Sequence, residues 1–230
     1  MGRYIWGKRN KIHIIDIRET IRGLVEAVHF LKAAAMAGGR FIFVGTKRQA
    51  QEAVRAQAKR TGMFFVAERW LGGTLTNLSA IRGQVKKLDA LELMERDGTM
   101  DRYNKKQISR HNRTKRRILR NLEGIRGMDN LPTAMIVIDP RKEHIAVQEA
   151  FRLRVPLIAI LDTDCDPDQI DIPIPANDDA VRSVDFLLAI LGNAAIEGRL
   201  AGGYPIPKEA QIVQEAPKAE AEAAEAAPVE

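Results

Sequence analysis

Three short runs constrain the fold more than anything else in the chain: FIFVG at Phe41–Gly45, AMIVID at Ala134–Asp139 and LIAILD at Leu157–Asp162. FIFVG is apolar throughout, which suits a strand buried on both faces, and such strands belong to parallel sheets covered by helices. Helical patterns alternate with these runs, over Arg18–Ala37, Arg48–Arg60, roughly Lys142–Leu153 and about Asp179–Ile196. Gly38–Gly39 suit a left-handed cap on the first of these helices, and Gly62 stops the second. Two more strands are expected at Ile12–Ile17 and Phe64–Ala67. The alternation predicts an α/β fold: a doubly wound sheet of five parallel strands flanked by helices.

One stretch breaks the pattern. From Leu78 to Ile125 there is no strand signal, only two helical patterns around a turn at Asp97–Gly98. Leu78, Ile81, Val85, Leu88 and Leu91 make a narrow apolar stripe at helical spacing. Ile118, Leu122 and Ile125 return it, with His111 and Lys115 extending the face less convincingly. Asn104 with Gln107 three residues on resembles a capping box that starts the second helix. A narrow seam with charge elsewhere predicts an inserted coiled-coil hairpin rather than a sheet-covering helix. The expected organisation is an α/β domain over residues 1–77 and 126–200, a hairpin over 78–125 and a tail over 201–230. That tail is Ala/Glu/Pro-rich and is expected to be disordered.

Charge is unevenly placed along the 230 residues. The formal net charge is +6, yet residues 208–230 hold two Lys and six Glu. Residues 96–120 hold ten Lys or Arg against two Asp. Spacings of three and four put Arg102, Lys106, Arg110 and Arg113 on one helix face, and Arg116, Arg117 and Arg120 continue it. Lys105 and Lys115 add to the same arm. So dense a basic rod predicts a polyanion partner, recognised through its phosphates. Phosphate contact alone does not distinguish RNA from DNA.

Other chemistry is thin. The single cysteine, Cys165, excludes a disulfide framework and a thiolate zinc cluster within this chain. No apolar run approaches the ~18 residues of a membrane span. No secretory or myristoylation pattern opens the sequence, so a cytoplasmic protein is expected. FIFVGTKR at Phe41–Arg48 places Lys47 and Arg48 after a buried strand, where α/β sheets bind ligands. It matches neither GxxxxGK[ST] nor GxGxxG, and either a nucleotide or an RNA phosphate would suit it. In RWLGGTLTN at Arg69–Asn77, Trp70 is expected to pack under the hairpin base, while Arg69 stays available to a base or ribose. The alternating Asp162, Asp164, Asp166 and Asp168 lack the glycine and glutamate of an EF-hand loop, so carboxylates around a turn are the expectation. The four histidines show no metal spacing, and no nucleophile–base pair can be named.

From Tyr4 to about Arg199 the sequence resembles the bacterial small-subunit ribosomal protein S-two family. Five motifs carry the resemblance, in order: GKRNKIHIID at Gly7–Asp16, FVGTKRQA at Phe43–Ala50, RWLGGTLTN, LPTAMIVIDPRKEHIAVQEA at Leu131–Ala150 and DTDCDPDQIDIPIPANDDA at Asp162–Ala180. The resemblance implies a flavodoxin-like sheet with an inserted coiled-coil hairpin. It also implies a non-enzymatic role without a cofactor: binding small-subunit ribosomal RNA, contacting neighbouring ribosomal proteins and helping to dock ribosomal protein S-one. Neither a membrane nor a small-molecule substrate is expected. By motif, Arg9, Asn10, Lys11, Lys47 and Arg48 would face RNA, while Asn177 and Asp178 would stabilise the turn before the last helix. The candidate RNA-binding set is therefore Lys8, Arg9, Asn10, Lys11, Lys47, Arg48, Arg69, Arg102, Lys105, Lys106, Arg110, Arg113, Arg116, Arg117 and Arg120. Two departures stand out. Family members carry a further segment with an AGVHFGH-like motif ahead of the position of Arg3, and the returning arm here is more basic than the family's mixed-charge arms.

Overall fold

The computed structural model describes residues 1–207. Its strands are β1 (Ile5–Arg9), β2 (Ile12–Ile15), β3 (Phe41–Val44), β4 (Phe64–Val66), β5 (Ala134–Ile138), β6 (Leu157–Leu161) and β7 (Ile172–Pro175). Its helices are α1 (Ile17–Met36), α2 (Gln51–Thr61), α3 (Leu78–Arg96), α4 (Lys105–Leu122), α5 (His144–Leu153) and α6 (Val181–Ala201). Five strands pair in the order β4-β3-β5-β6-β7, every neighbour parallel. Counted along the chain within this sheet, the order is 2-1-3-4-5, the doubly wound arrangement in which the strand order reverses between β3 and β5.

Burial explains the layering. All residues of β3, β5 and β6 are buried, as the all-apolar runs require. Alternate side chains feed two separate cores. Phe41, Phe43, Ile136 and Ile158 join Leu31 of α1, Val54 of α2 and Leu188 of α6 on one face. Ile42, Val44, Met135 and Leu157 join Ala146 and Ala150 of α5 on the other. On that second face α5 covers only part of the sheet. The rest is covered by Ile81, Leu88, Ile118, Leu122 and Ile125, from the α3–α4 segment and the 3₁₀ turn that follows it.

The strand tally of five holds, but one member differs from expectation. Ile12–Ile15 pairs antiparallel with β1 and stays outside the sheet. Asn10 and Lys11 join these two strands with φ of 49° and 66°, the left-handed pair that two-residue hairpin turns require. The sheet's fifth strand is β7, whose sequence IPIP reads against a strand because Pro173 and Pro175 cannot donate to a ladder. Such prolines are tolerated at a sheet edge, and β7 is the edge strand.

Within the segment expected to form the hairpin, Gly98 turns the chain with φ 68° and a 3₁₀ turn leads into α4. The Asn104–Gln107 capping box is present, with Gln107 N donating to Asn104 Oδ1 at 2.9 Å and Asn104 N donating to Gln107 Oε1 at 3.2 Å. Of the expected tail, Ala201 ends α6, while Pro207 lies against Gly62 and the ring of Tyr204 against Gly38. Residues 208–230, which carry its acidic charge, lie outside the described residues.

The α4 end of the segment is seated closely on β4. A Cβ added to Gly124 would stand 2.2 Å from the Phe65 carbonyl oxygen. Gly124→Ala should therefore cost about 1–3 kcal/mol in chemical denaturation. Gly83→Ala in α3, where nothing lies within 4 Å, should be neutral or stabilising by up to about 1 kcal/mol. Equal effects at the two sites would contradict the seating.

Candidate nucleic-acid interface

The loop from β4 to α3 owes its shape to one carboxylate. Glu149 of α5 is 7% exposed, and its two oxygens accept hydrogen bonds from five donors. Oε1 takes Trp70 Nε1 at 3.1 Å and Gly73 N at 2.8 Å. Oε2 takes Leu75 N at 2.9 Å, Thr76 N at 3.0 Å and Thr76 Oγ1 at 3.1 Å. Gly73 sits at φ 89°, which turns its N–H toward Glu149 in a backbone conformation that a side chain would strain. Asn77 then caps α3 by accepting from Ala80 N at 3.3 Å. Trp70 packs with Leu75 and Ile81 at the foot of α3, as expected, rather than offering its ring to a base.

Held by this loop, α3 and α4 pack along Ile81 and Leu88 on one side and Ile118 and Leu122 on the other. Lys115 pairs with Glu95 across the helices, and Arg126 pairs with Asp89 and, at 2.7 Å, with Glu92. The acids of α3 thus meet cations near the seam. Helix α4 contains no acid at all, and its other cations point away. Lys105, Lys106, Arg110, Arg113, Arg116 and Arg117 are exposed and form no ion pair with another described residue. Arg102, just ahead of α4, is exposed too. Arg120 is exposed and lies 3.8 Å from Glu68. At 1.5 Å per residue, the 18 residues of α4 present this face over roughly 27 Å.

A second basic group forms the β1–β2 tip, where Lys8, Arg9, Asn10 and Lys11 are all exposed. Lys11 and His13 face Asp162, Thr163 and Asn177 across an open cleft of about 640 Å³, which places the tip at the carboxyl ends of β6 and β7. Arg48 follows β3 and Arg69 follows β4, both exposed. These cations ring the carboxyl edge of the sheet, and the arm rises from the same edge.

Lys47 is the member of the candidate set that is not on that surface. Its side chain is 17% exposed, and its ammonium lies 2.6 Å from Asp178, 2.5 Å from Asp179 and 3.6 Å from Asp139. Burial disfavours the charged ammonium, but the hydrogen bonds to Asp178 and Asp179 outweigh it and raise its pKa. Thr46 is likewise committed, its N–H donating to Glu143 at 3.0 Å. A phosphate placed after β3 would therefore meet carboxylates, which removes the nucleotide alternative for this motif. The sequence motif marked the right strand end but not the sign of its surroundings. Asn177 performs the expected turn role, accepting from Asp179 N at 2.8 Å and Ala180 N at 3.1 Å ahead of α6.

Sequence reasoning missed Glu149 and Glu143. The available signal is a carboxylate among buried small residues, because Glu149 shares a face with Ala146 and Ala150. Burial pushes the Glu149 pKa up, but the Thr76, Trp70, Leu75 and Gly73 donors together hold it below the ordinary value of 4.5. Its stabilising contribution is therefore complete above the unfolded-state pKa and is lost as pH falls through the depressed folded value. Glu149→Gln should cost roughly 2–4 kcal/mol at neutral pH. In urea titrations across the acid range, the gap to wild type should narrow as pH falls; a constant gap would contradict a charged Glu149.

No helix among the described residues is long and apolar enough to cross a membrane. A family model described as ribosomal protein S2 matches residues 1–198. A relative named small ribosomal subunit protein uS2, from Rhodopirellula baltica (strain DSM 10527 / NCIMB 13988 / SH1), is 49% identical over 219 residues, covering 95% of this chain and 83% of the relative. With the five ordered motifs and a parallel α/β sheet, the chain belongs to the ribosomal protein S2 family, non-enzymatic structural proteins of the small ribosomal subunit.

Proposed function

We propose that this protein is held in the small subunit by small-subunit ribosomal RNA, gripped at two places: the exposed face of α4 and the β1–β2 tip. The observation that carries the reading is the arm itself. Eight Lys or Arg and no acid lie on an 18-residue helix whose root is buried in the protein. A rigid, pre-formed row of cations loses little side-chain and backbone freedom on meeting a phosphate backbone, and releases condensed counterions as it does so. We read α3 and α4 together as the inserted coiled-coil arm, with its narrow seam inward and its cations outward.

Protein neighbours have a different surface available. Ile17, Ile21 and Val25 stand exposed at four-residue intervals on α1, an apolar stripe that suits a protein partner better than a phosphate backbone. The same reading assigns ribosomal proteins to such surfaces, ribosomal protein S-one among them.

Replacing Arg110, Arg113, Arg116 and Arg117 by Glu tests the RNA contact, because these residues are exposed and form no ion pair with another described residue. The variant should fold with wild-type stability and leave the small subunit at lower salt in sucrose gradients. Its affinity for small-subunit RNA should fall, with the salt slope shallower by roughly 0.7–0.9 for each phosphate that the arm no longer neutralises. A folded variant that co-sediments through the same salt wash as wild type would overturn the assignment.

A further inference from the structure

At the carboxyl edge of the sheet, four aspartates converge around Lys47. Asp139 follows β5, Asp162 follows β6, and Asp178 and Asp179 follow β7. Together they carry four negative charges against one ammonium. One carboxylate oxygen from each of Asp162, Asp178 and Asp179 lies within 4.8 Å of the other two. A second observation concerns Asp178 alone. That residue is 1% exposed; its Oδ1 accepts from Lys47 Nζ at 2.6 Å, while its buried Oδ2 accepts from no described donor. Lys47 satisfies one oxygen of this carboxylate, while a buried acceptor left without a donor is costly unless something positive sits against it.

We propose that Asp162, Asp178 and Asp179 form a binding site for a hard divalent cation, Mg²⁺ or Ca²⁺. An all-carboxylate oxygen set is the chemistry these ions take, with water completing the shell. Two ligands on one ion stand at most twice the bond length apart, about 4.2 Å for Mg²⁺ and about 4.6–5.2 Å for Ca²⁺. Oxygens that all lie within 4.8 Å of one another suit the shell of Ca²⁺, and those within about 4.2 Å suit Mg²⁺ as well. Lys47 holds Asp178 by its other oxygen, which leaves Oδ2 for the ion and fixes the carboxylate's orientation. Asp162 lines the open cleft beneath the β1–β2 hairpin and the Asp179 side chain is 67% exposed, so the ion meets two ligands from solvent and reaches the buried Asp178 Oδ2 by a local shift of the turn.

The site is not the alternating run DTDCDPD acting as a loop. Only Asp162 of that run takes part; Asp164 pairs with Arg141, and Asp166 accepts from Asp168 N at 3.2 Å. The ligands come from two strand ends that the fold brings together, at the edge where doubly wound sheets bind their ligands. The bound ion would tie the end of β6 to the turn before α6, beside the cleft that the β1–β2 hairpin overhangs.

The test uses the full chain, treated with EDTA and then titrated with Mg²⁺ or Ca²⁺ at matched ionic strength. The melting temperature should rise saturably with an apparent Kd of about 0.1–1 mM. At ten times Kd the folding equilibrium constant should rise roughly elevenfold. Asp162→Asn keeps the acceptor for Thr163 N and removes a like charge beside Asp178. This variant should melt higher than wild type without divalent ions and lose the response to them. Asp166→Asn, outside the cluster, should keep the full response. Either ion supports the site, and the one acting at lower concentration names its occupant. No saturable rise in the wild type, or an equal rise in Asp162→Asn, overturns the proposal.

Discussion

The carboxylate of Glu149, buried in α5 and taking five hydrogen bonds from a single loop, is the contact on which the position of the basic arm depends. Without it the Trp70 indole and the N–H groups of Gly73 and Leu75 would be buried or half-buried donors with nothing to meet. The loop they belong to leaves β4, crosses the sheet face and starts α3. A rod roughly 27 Å long magnifies any looseness at its root. Burial by itself penalises the anion, and the convergent donors offset that cost together, so the loop cannot move without uncovering it.

The same topology explains why the cations gather where they do. In doubly wound sheets ligand sites form in the loops at the carboxyl edge, where strand order reverses. Here that edge carries Arg48, Arg69, the arm and the β1–β2 tip. The position just after β3, which a nucleotide-binding protein would keep for phosphate, is instead filled by Lys47 among aspartates. The strand-end position of a small-molecule site holds Lys47 and its aspartates, and the rim around it is basic. Fold and function separate at this one residue cluster.

Much of this was legible in the residues. All-apolar runs identified three buried strands because a two-sided environment leaves no room for alternation. The stripe from Leu78 to Leu91 and the Asn104–Gln107 cap placed α3 and α4, since both rest on local chemistry. Long-range facts were less visible. Ile12–Ile15 looks like a sheet strand until its hairpin partner is seen, and its Asn10–Lys11 turn lacks the glycine that usually announces one. Strand β7 is hidden by its two prolines. Lys47 reads as an anion ligand because its three carboxylates lie 92 to 132 residues further along the sequence. Glu149 reads as a solvated helix charge, and only its place between Ala146 and Ala150 hints otherwise.

The RNA contact proposed for α4 can be tested from that helix itself. Cys165, the only cysteine, is buried, and burial pushes its thiol pKa up to about 11, so it resists labelling at neutral pH. A cysteine introduced by Ser109→Cys, on the exposed side of α4 beside Arg110 and Arg113, can carry a tethered iron chelate into assembled small subunits. Hydroxyl radicals generated there are expected to cut small-subunit ribosomal RNA at a confined set of nucleotides. The same tether introduced by Gln148→Cys, on the far side of α5 from the sheet, should give a different or absent pattern. Subunits containing the labelled protein but showing no RNA cleavage from position 109 would contradict the central claim that this face of the arm lies on ribosomal RNA.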